Sequence, residues 1–185
     1  MPRLFIGSFL DLPEAERISS IARAGAAADS PGIRALPKEK LHVTWLFLGM
    51  AKSESIPQIS DKLIEVRTRL KEKIADVVTE ITYDHLELWP SLNKARVAVL
   101  CPSKTLPEVS IIAAEIRASL AGFQESIDNY PQFKPHLTLY RISQTGIQSA
   151  IELLPHFKNL SPVKQSINID KIRLIESDGG YTIIA

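Results

Sequence analysis

Two stretches of this chain place an imidazole and a hydroxyl two residues apart in an apolar, β-favouring run: Lys40-Leu41-His42-Val43-Thr44-Trp45-Leu46-Phe47-Leu48-Gly49 and Lys134-Pro135-His136-Leu137-Thr138-Leu139-Tyr140-Arg141. In a strand, residues i and i+2 point to one face. Strict alternation therefore puts Lys134, His136, Thr138 and Tyr140 on one side and Pro135, Leu137 and Leu139 on the other. The first side is suited to chemistry and the second to a core. With only 4 histidines in the chain, the double occurrence is roughly a one-in-a-hundred accident. Two His-x-Thr strands about ninety residues apart predict two similar halves.

Between and around these strands the chain reads as alternating elements. Leu4 to Leu10 is a buried strand, and Asp11-Leu12-Pro13-Glu14 starts a helix reaching about Ala28. Asp29-Ser30-Pro31-Gly32 breaks it, and Ile33 to Glu39 is a connection. A second helix, capped by Ser53 or Ser55, carries Ile56, Ile59, Leu63, Val66 and Leu70 at helical spacing, with Lys62, Glu65, Arg69 and Lys73 on its solvated face. Val77 to Trp89 is one strand, paired antiparallel with Ala95 to Leu100 across Pro90-Ser91-Leu92-Asn93. Pro107 opens a third helix, Gly122 to Gln132 is a polar loop, and a short helix spans Gly146 to Leu154. Ser166 to Glu176 is a strand, and Asp178-Gly179-Gly180 turns into a last one, Tyr181 to Ile184. The order is that of an α+β fold.

Composition narrows the function. A chain of 185 residues, 45% hydrophobic, is long enough for one compact domain or two small lobes sharing an interface. A net charge of +1 provides no whole-protein basic field, so any nucleic acid would be held locally. The single Cys101 excludes an internal disulfide, fits a reducing compartment and is expected to pack. No signal-like leader or membrane-length apolar run stands out, so a soluble, cytoplasmic protein is expected.

Two histidines facing one cleft suit a reaction that needs a base and an acid at the same pH, because imidazole titrates near ~6.5 and serves in either form. In-line cleavage of a phosphoester is the leading candidate. One neutral His takes a proton from the nucleophile and the other gives one to the leaving oxygen. Threonine hydroxyls on the same face donate to the non-bridging phosphoryl oxygens. No metal is required, and none of the glycine-rich phosphate loops, the Gly-x-Ser-x-Gly elbow or a thiolate metal site is present. We expect no metal and no cofactor.

These motifs resemble those of the 2H phosphoesterase superfamily, specifically its RNA 2′,3′-cyclic phosphodiesterase branch, historically called 2′-5′ RNA ligases. The similarity extends to Arg3-Leu4-Phe5-Ile6, Asp11-Leu12-Pro13, Ala95-Arg96-Val97, and Glu176-Ser177 with Tyr181, and so covers essentially the whole chain. It implies one domain over residues 1–185, made of two intertwined lobes with two antiparallel sheets in pseudo-twofold symmetry around a cleft and helices outside. It also implies metal-independent hydrolysis of a 2′,3′-cyclic phosphate, on an RNA 3′ end or a nucleotide, to a 2′-phosphomonoester. By the same resemblance His136 is the base, His42 the acid, and Thr44, Thr138 and Arg141 bind the phosphate.

Tyr140 and Phe133 could stack on a terminal base, and Lys40 and Lys134 are further candidate substrate contacts. Trp45, Trp89 and Cys101 are read as structural, and His85 and His156 as non-catalytic. Alternative readings are 2′-5′ RNA ligation in the same site, a phosphodiesterase for a small 2′-5′-linked or ADP-ribose cyclic phosphate, or a non-catalytic module binding RNA ends or nucleotides. A monomer without an obligate protein partner or membrane contact is expected.

Overall fold

The computed structural model describes residues 1–25, 30–74, 79–125 and 133–185. Strand β1 (Arg3–Phe9) is buried from Leu4 to Ser8, the pattern of a strand covered on both faces. Helix α1 (Leu12–Gly25) turns Ala15, Ile18, Ser19 and Ala22 inward at helical spacing. Short strand β2 (Ile33–Ala35) and strand β3 (His42–Met50) follow. In helix α2 (Ile56–Ile74), Ile59, Leu63, Val66, Leu70 and Ile74 form the buried stripe. Strands β4 (Thr79–Tyr83), β5 (His85–Trp89) and β6 (Val97–Cys101) lead to helix α3 (Pro107–Leu120). Strand β7 (Leu137–Ile142), helix α4 (Ile147–Leu153), and strands β8 (Val163–Ile167), β9 (Arg173–Glu176) and β10 (Thr182–Ile183) complete the chain. None of the described helices is long and apolar enough to cross a membrane.

The strands form two four-stranded antiparallel sheets, ordered β10-β9-β1-β3 and β2-β7-β6-β5, and a two-stranded ladder of β4 with β8. The α+β fold with one His-x-Thr strand in each large sheet is as expected. Three segments differ from the linear reading. The stretch ending at Trp89 is two strands, because Asp84 separates β4, in the small ladder, from β5, in the second sheet. The stretch from Ser166 likewise splits, at the 3₁₀ turn Ile169–Lys171, between β8 and β9. Residues Ile33 to Ala35, expected to be a connection, pair with β7 as an edge strand. The expected helix end at Ala28, the strand start at Val77 and most of the loop to Gln132 lie outside the described residues.

Both motif strands contain a bulge at the residue after the threonine. Along β1–β3 the register passes from Gly7 opposite Thr44 to Ile6 opposite Leu46, leaving Trp45 unmatched. Along β6–β7 it passes from Val99 opposite Thr138 to Ala98 opposite Tyr140, leaving Leu139 unmatched. An unmatched residue shifts the side-chain alternation beyond it by one.

The small ladder is tied to the first sheet by buried polar groups. The Tyr83 hydroxyl donates to Gln165 Oε1 at 2.8 Å, and Gln165 Nε2 donates to the carbonyls of Ser8 and Phe9 at 3.1 and 3.3 Å. Tyr83 and Gln165 are both within 1% of complete burial. Removing the amide strands a buried hydroxyl and two carbonyls, so Gln165→Leu is expected to cost about 1–3 kcal/mol. Thermal denaturation checks this: the melting temperature should fall by several degrees, and an unchanged value would mean the tie carries no weight.

Candidate active site

His42 is the first residue of β3, and His136 sits immediately before β7. Each imidazole is fixed in the same way by the chain two residues earlier. His42 Nδ1 lies 2.7 Å from the Lys40 carbonyl and His136 Nδ1 2.9 Å from the Lys134 carbonyl. A carbonyl only accepts, so Nδ1 carries the proton in both rings and Nε2 is left with a lone pair. The Thr44 hydroxyl stands 3.1 Å from His42 Nε2 and can donate to it. The two lysines thus contribute their carbonyls, while the Lys40 ammonium sits 5.3 Å over the Tyr181 ring.

The surroundings of the two rings differ. His42 is packed among aromatic side chains: Phe5 at 4.8 Å between ring centroids, Tyr181 at 5.1 Å edge-on, and Phe9 at 6.0 Å. Gly7, opposite Thr44, makes room for this packing, because a Cβ there would stand 2.8 Å from the Phe5 ring. His136 instead meets the Trp89 indole at 4.5 Å. Trp89 Nε1 donates to Glu87 at 2.6 Å, and Glu87 also contacts His85 Nε2 at 3.0 Å. His85 Nδ1 is 2.7 Å from Asp84. A polar chain therefore runs from Asp84 to the ring packed against His136.

Electrostatics follow these surroundings. Burial, reinforced by the charge of His136 and opposed by the Lys40 carbonyl, lowers the His42 pKa to about 4. Burial also lowers His136, against the Lys134 carbonyl and the negative charge of Glu87, both of which favour its cation. Glu87 is held below the usual carboxylate range, foremost by the Trp89 bond. For His85, burial works downward, but its bonds to Asp84 and Glu87 outweigh it and the pKa is raised. Cys101 is buried, with its thiol pushed up to about 12, chiefly by that burial, and is inert packing as expected.

The remaining sequence candidates separate. Thr138 is half-buried and pairs directly with Val99 of β6, on the same face of the sheet. Arg141 reaches Tyr181, whose hydroxyl is raised by burial and drawn back by the charge and hydrogen bond of Arg141. Tyr140 does not share the His136 face that strict alternation predicted. It is fully buried, donates to the Ala22 carbonyl at 2.5 Å and packs edge-on against Phe157. The Leu139 bulge exchanges the two, sending Tyr140 to the core and Arg141 to the site. Phe133 stacks on Trp45 at 5.4 Å, and Trp45 is in the core with its indole donating to Ser8. His156 is exposed in the 3₁₀ turn Leu154–Phe157. Among the described residues no group of three His, Cys, Asp or Glu is placed to hold a metal ion.

Sequence reasoning missed Phe5, Phe9, Glu87, Trp89 and Tyr181 as neighbours of the histidines. One signal was present: His85, Glu87 and Trp89 alternate with Leu86 and Leu88, which marks a polar face on β5.

The chain is similar to known proteins over most of its length. No family model matches the chain. The RNA 2′,3′-cyclic phosphodiesterase of Archaeoglobus fulgidus is 27% identical over 150 residues, covering 80% of this chain and 77% of that protein. A crystal structure described as a phosphoesterase superposes with a TM-score of 0.63 at 21% identity, over 100% of this chain and 95% of the other. Escherichia coli LigT complexed with 3′-AMP gives 0.62 at 21%, with the same coverage. The TT0787 protein of Thermus thermophilus gives 0.61 at 20%, over 99% and 95%. The chain has the fold of the 2H phosphoesterases. In sequence the chain is similar to the Archaeoglobus fulgidus phosphodiesterase, in line with the resemblance its paired motifs carry.

The depressed imidazoles couple stability to pH. Folded His42 titrates at about 4 and the unfolded side chain near ~6.5, so between these values the unfolded chain binds more protons. Stability is therefore full above the unfolded pKa and is lost as pH falls toward the folded one, on the order of 3 kcal/mol for this group. His136 adds in the same direction. Denaturant titrations from pH 7 to 4.5, above most carboxylate titration, should show wild-type stability declining more steeply than that of His42→Asn. Parallel declines would count against a folded imidazole held neutral.

Proposed function

We propose that the chain is a metal-independent hydrolase that opens 2′,3′-cyclic phosphates on RNA 3′ ends or nucleotides to 2′-phosphomonoesters, working as one two-lobed domain over residues 1–185. The observation that carries this reading is the pair of imidazoles held alike, Nδ1–H on a carbonyl and Nε2 left to take or give a proton, one in each sheet, with a threonine two residues on from each. The curated relative is named for this activity, and the LigT structure complexed with 3′-AMP supports a nucleotide ligand.

In this reading His136 Nε2 takes a proton from water as the oxygen attacks phosphorus, the P–O3′ bond breaks, and His42 protonates the departing 3′ oxygen. Electrostatics suit that division. The Glu87 charge favours the imidazolium that a base becomes, whereas burial makes protonated His42 a strong acid. Thr44, Thr138 and Arg141 hold the non-bridging oxygens, where negative charge accumulates.

His42→Ala and His136→Ala are each expected to lose at least ~10² in kcat. Cyclic-nucleotide hydrolysis in excess EDTA, with 2′ and 3′ products resolved, measures this; near-full activity in either variant overturns the assignment. Because both imidazoles are depressed, kcat/KM should trace a bell whose centre lies on the acid side of neutrality. A profile flat from pH 4 to 9 would contradict a two-histidine mechanism.

A further inference from the structure

The register of the second sheet places a second arginine beside the site. Arg34 on β2 is directly opposite Arg141 on β7, Arg141 is opposite Val97 on β6, and Val97 is opposite Trp89 on β5. Directly opposed residues of antiparallel strands share a face. Trp89, at one end of this row, lies against the His136 ring, so the whole row belongs to the catalytic face. Arg34 stands at its other end, exposed, one strand spacing of about 5 Å beyond Arg141.

Like charges directly opposite each other repel, and among the described residues neither arginine is ion-paired with a carboxylate. Arg141 turns toward Tyr181. A shallow hollow of about 410 Å³ lies at the surface where these two strands pair, lined by Gly32, Ile33, Arg34, Arg141, Ile142 and Ser143. Its position is held by close backbone packing. Gly32 adopts φ +84°, and a Cβ on it would meet Gly146 N at 2.5 Å. An edge strand accounts for one exposed charge. It does not account for that charge facing an arginine on an inner strand, which an anion lodged between the two guanidinium groups would relieve.

We infer that Arg34 forms a second phosphate subsite next to Arg141, whose guanidinium lies between the two phosphates, and takes the phosphate on the 5′ side of the cyclic nucleotide, making an oligonucleotide end a better substrate than a cyclic mononucleotide. This rests on the cyclic phosphodiesterase reading and names the substrate class of the same site. A 2′,3′-cyclic mononucleotide with a free 5′ hydroxyl has nothing to place there. A 5′-phosphorylated cyclic mononucleotide and a dinucleotide with a cyclic phosphate end both do.

The test is kcat/KM of wild type, Arg34→Gln and Arg34→Lys on adenosine 2′,3′-cyclic phosphate, its 5′-phosphorylated form and the dinucleotide. Wild type should prefer the two phosphate-bearing substrates by about tenfold or more, the scale of a charge-assisted contact. Arg34→Gln should collapse that ratio toward one, and Arg34→Lys, which keeps the charge without the fork, should retain part of it. Preference for the dinucleotide alone, with the 5′-phosphorylated mononucleotide no better than the plain one, would assign recognition to the added nucleoside and overturn the subsite. So would a ratio unchanged in Arg34→Gln that is shown folded by its melting curve. Failure of wild type to hydrolyse any of the three would overturn the cyclic phosphodiesterase reading itself, and the subsite with it.

Discussion

Each His-x-Thr strand carries a residue its neighbour cannot match just beyond its histidine, and which side chains share the histidine face depends on where that extra residue falls. Trp45 and Leu139 occupy it, each directly after the threonine. Before the bulge, alternation puts imidazole and hydroxyl on one face; beyond it the faces exchange. In the second sheet this exchange carries Tyr140 into the core, where its hydroxyl finds the Ala22 carbonyl, and Arg141 out toward Tyr181. A regular strand of the same sequence would bury a guanidinium and expose a phenol.

The sequence repeat specifies geometry but not electrostatics. Both rings are oriented by the carbonyl two residues back, a feature local to the motif and so duplicated with it. What lies around each ring comes from non-equivalent strands. The first sheet supplies hydrocarbon from Phe5, Phe9 and Tyr181; the second supplies an indole tied to a carboxylate. Two like side chains are thereby given unlike electrostatic surroundings, although burial lowers the pKa of both.

Local pattern made the helices, the motif strands and both histidines legible before any coordinates. The stripe of α2 follows from spacing alone, and the structural reading of Trp45 agrees with its place in the core. The Tyr140 and Arg141 orientations were not legible, because a bulge is defined by the partner strand and leaves no mark on its own. The division of the stretch ending at Trp89 was equally hidden. Asp84 is neither Gly nor Pro, and the break arises because two different sheets compete for one continuous β-favouring run. Likewise Ile33 to Ala35 acquires strand character only from pairing with β7.

Gly7 has a consequence that reaches past its own strand. Its missing side chain leaves the space into which the Phe5 ring leans, and the His42 ring rests on that phenyl. Most interior positions of β1 are limited by volume and accept neighbours of similar size. Position 7 is limited by a single methyl, yet what it controls is the tilt of an imidazole on another strand. Natural variation among relatives should therefore be broad along β1 and pinched at this point, a narrow gap in an otherwise permissive strand.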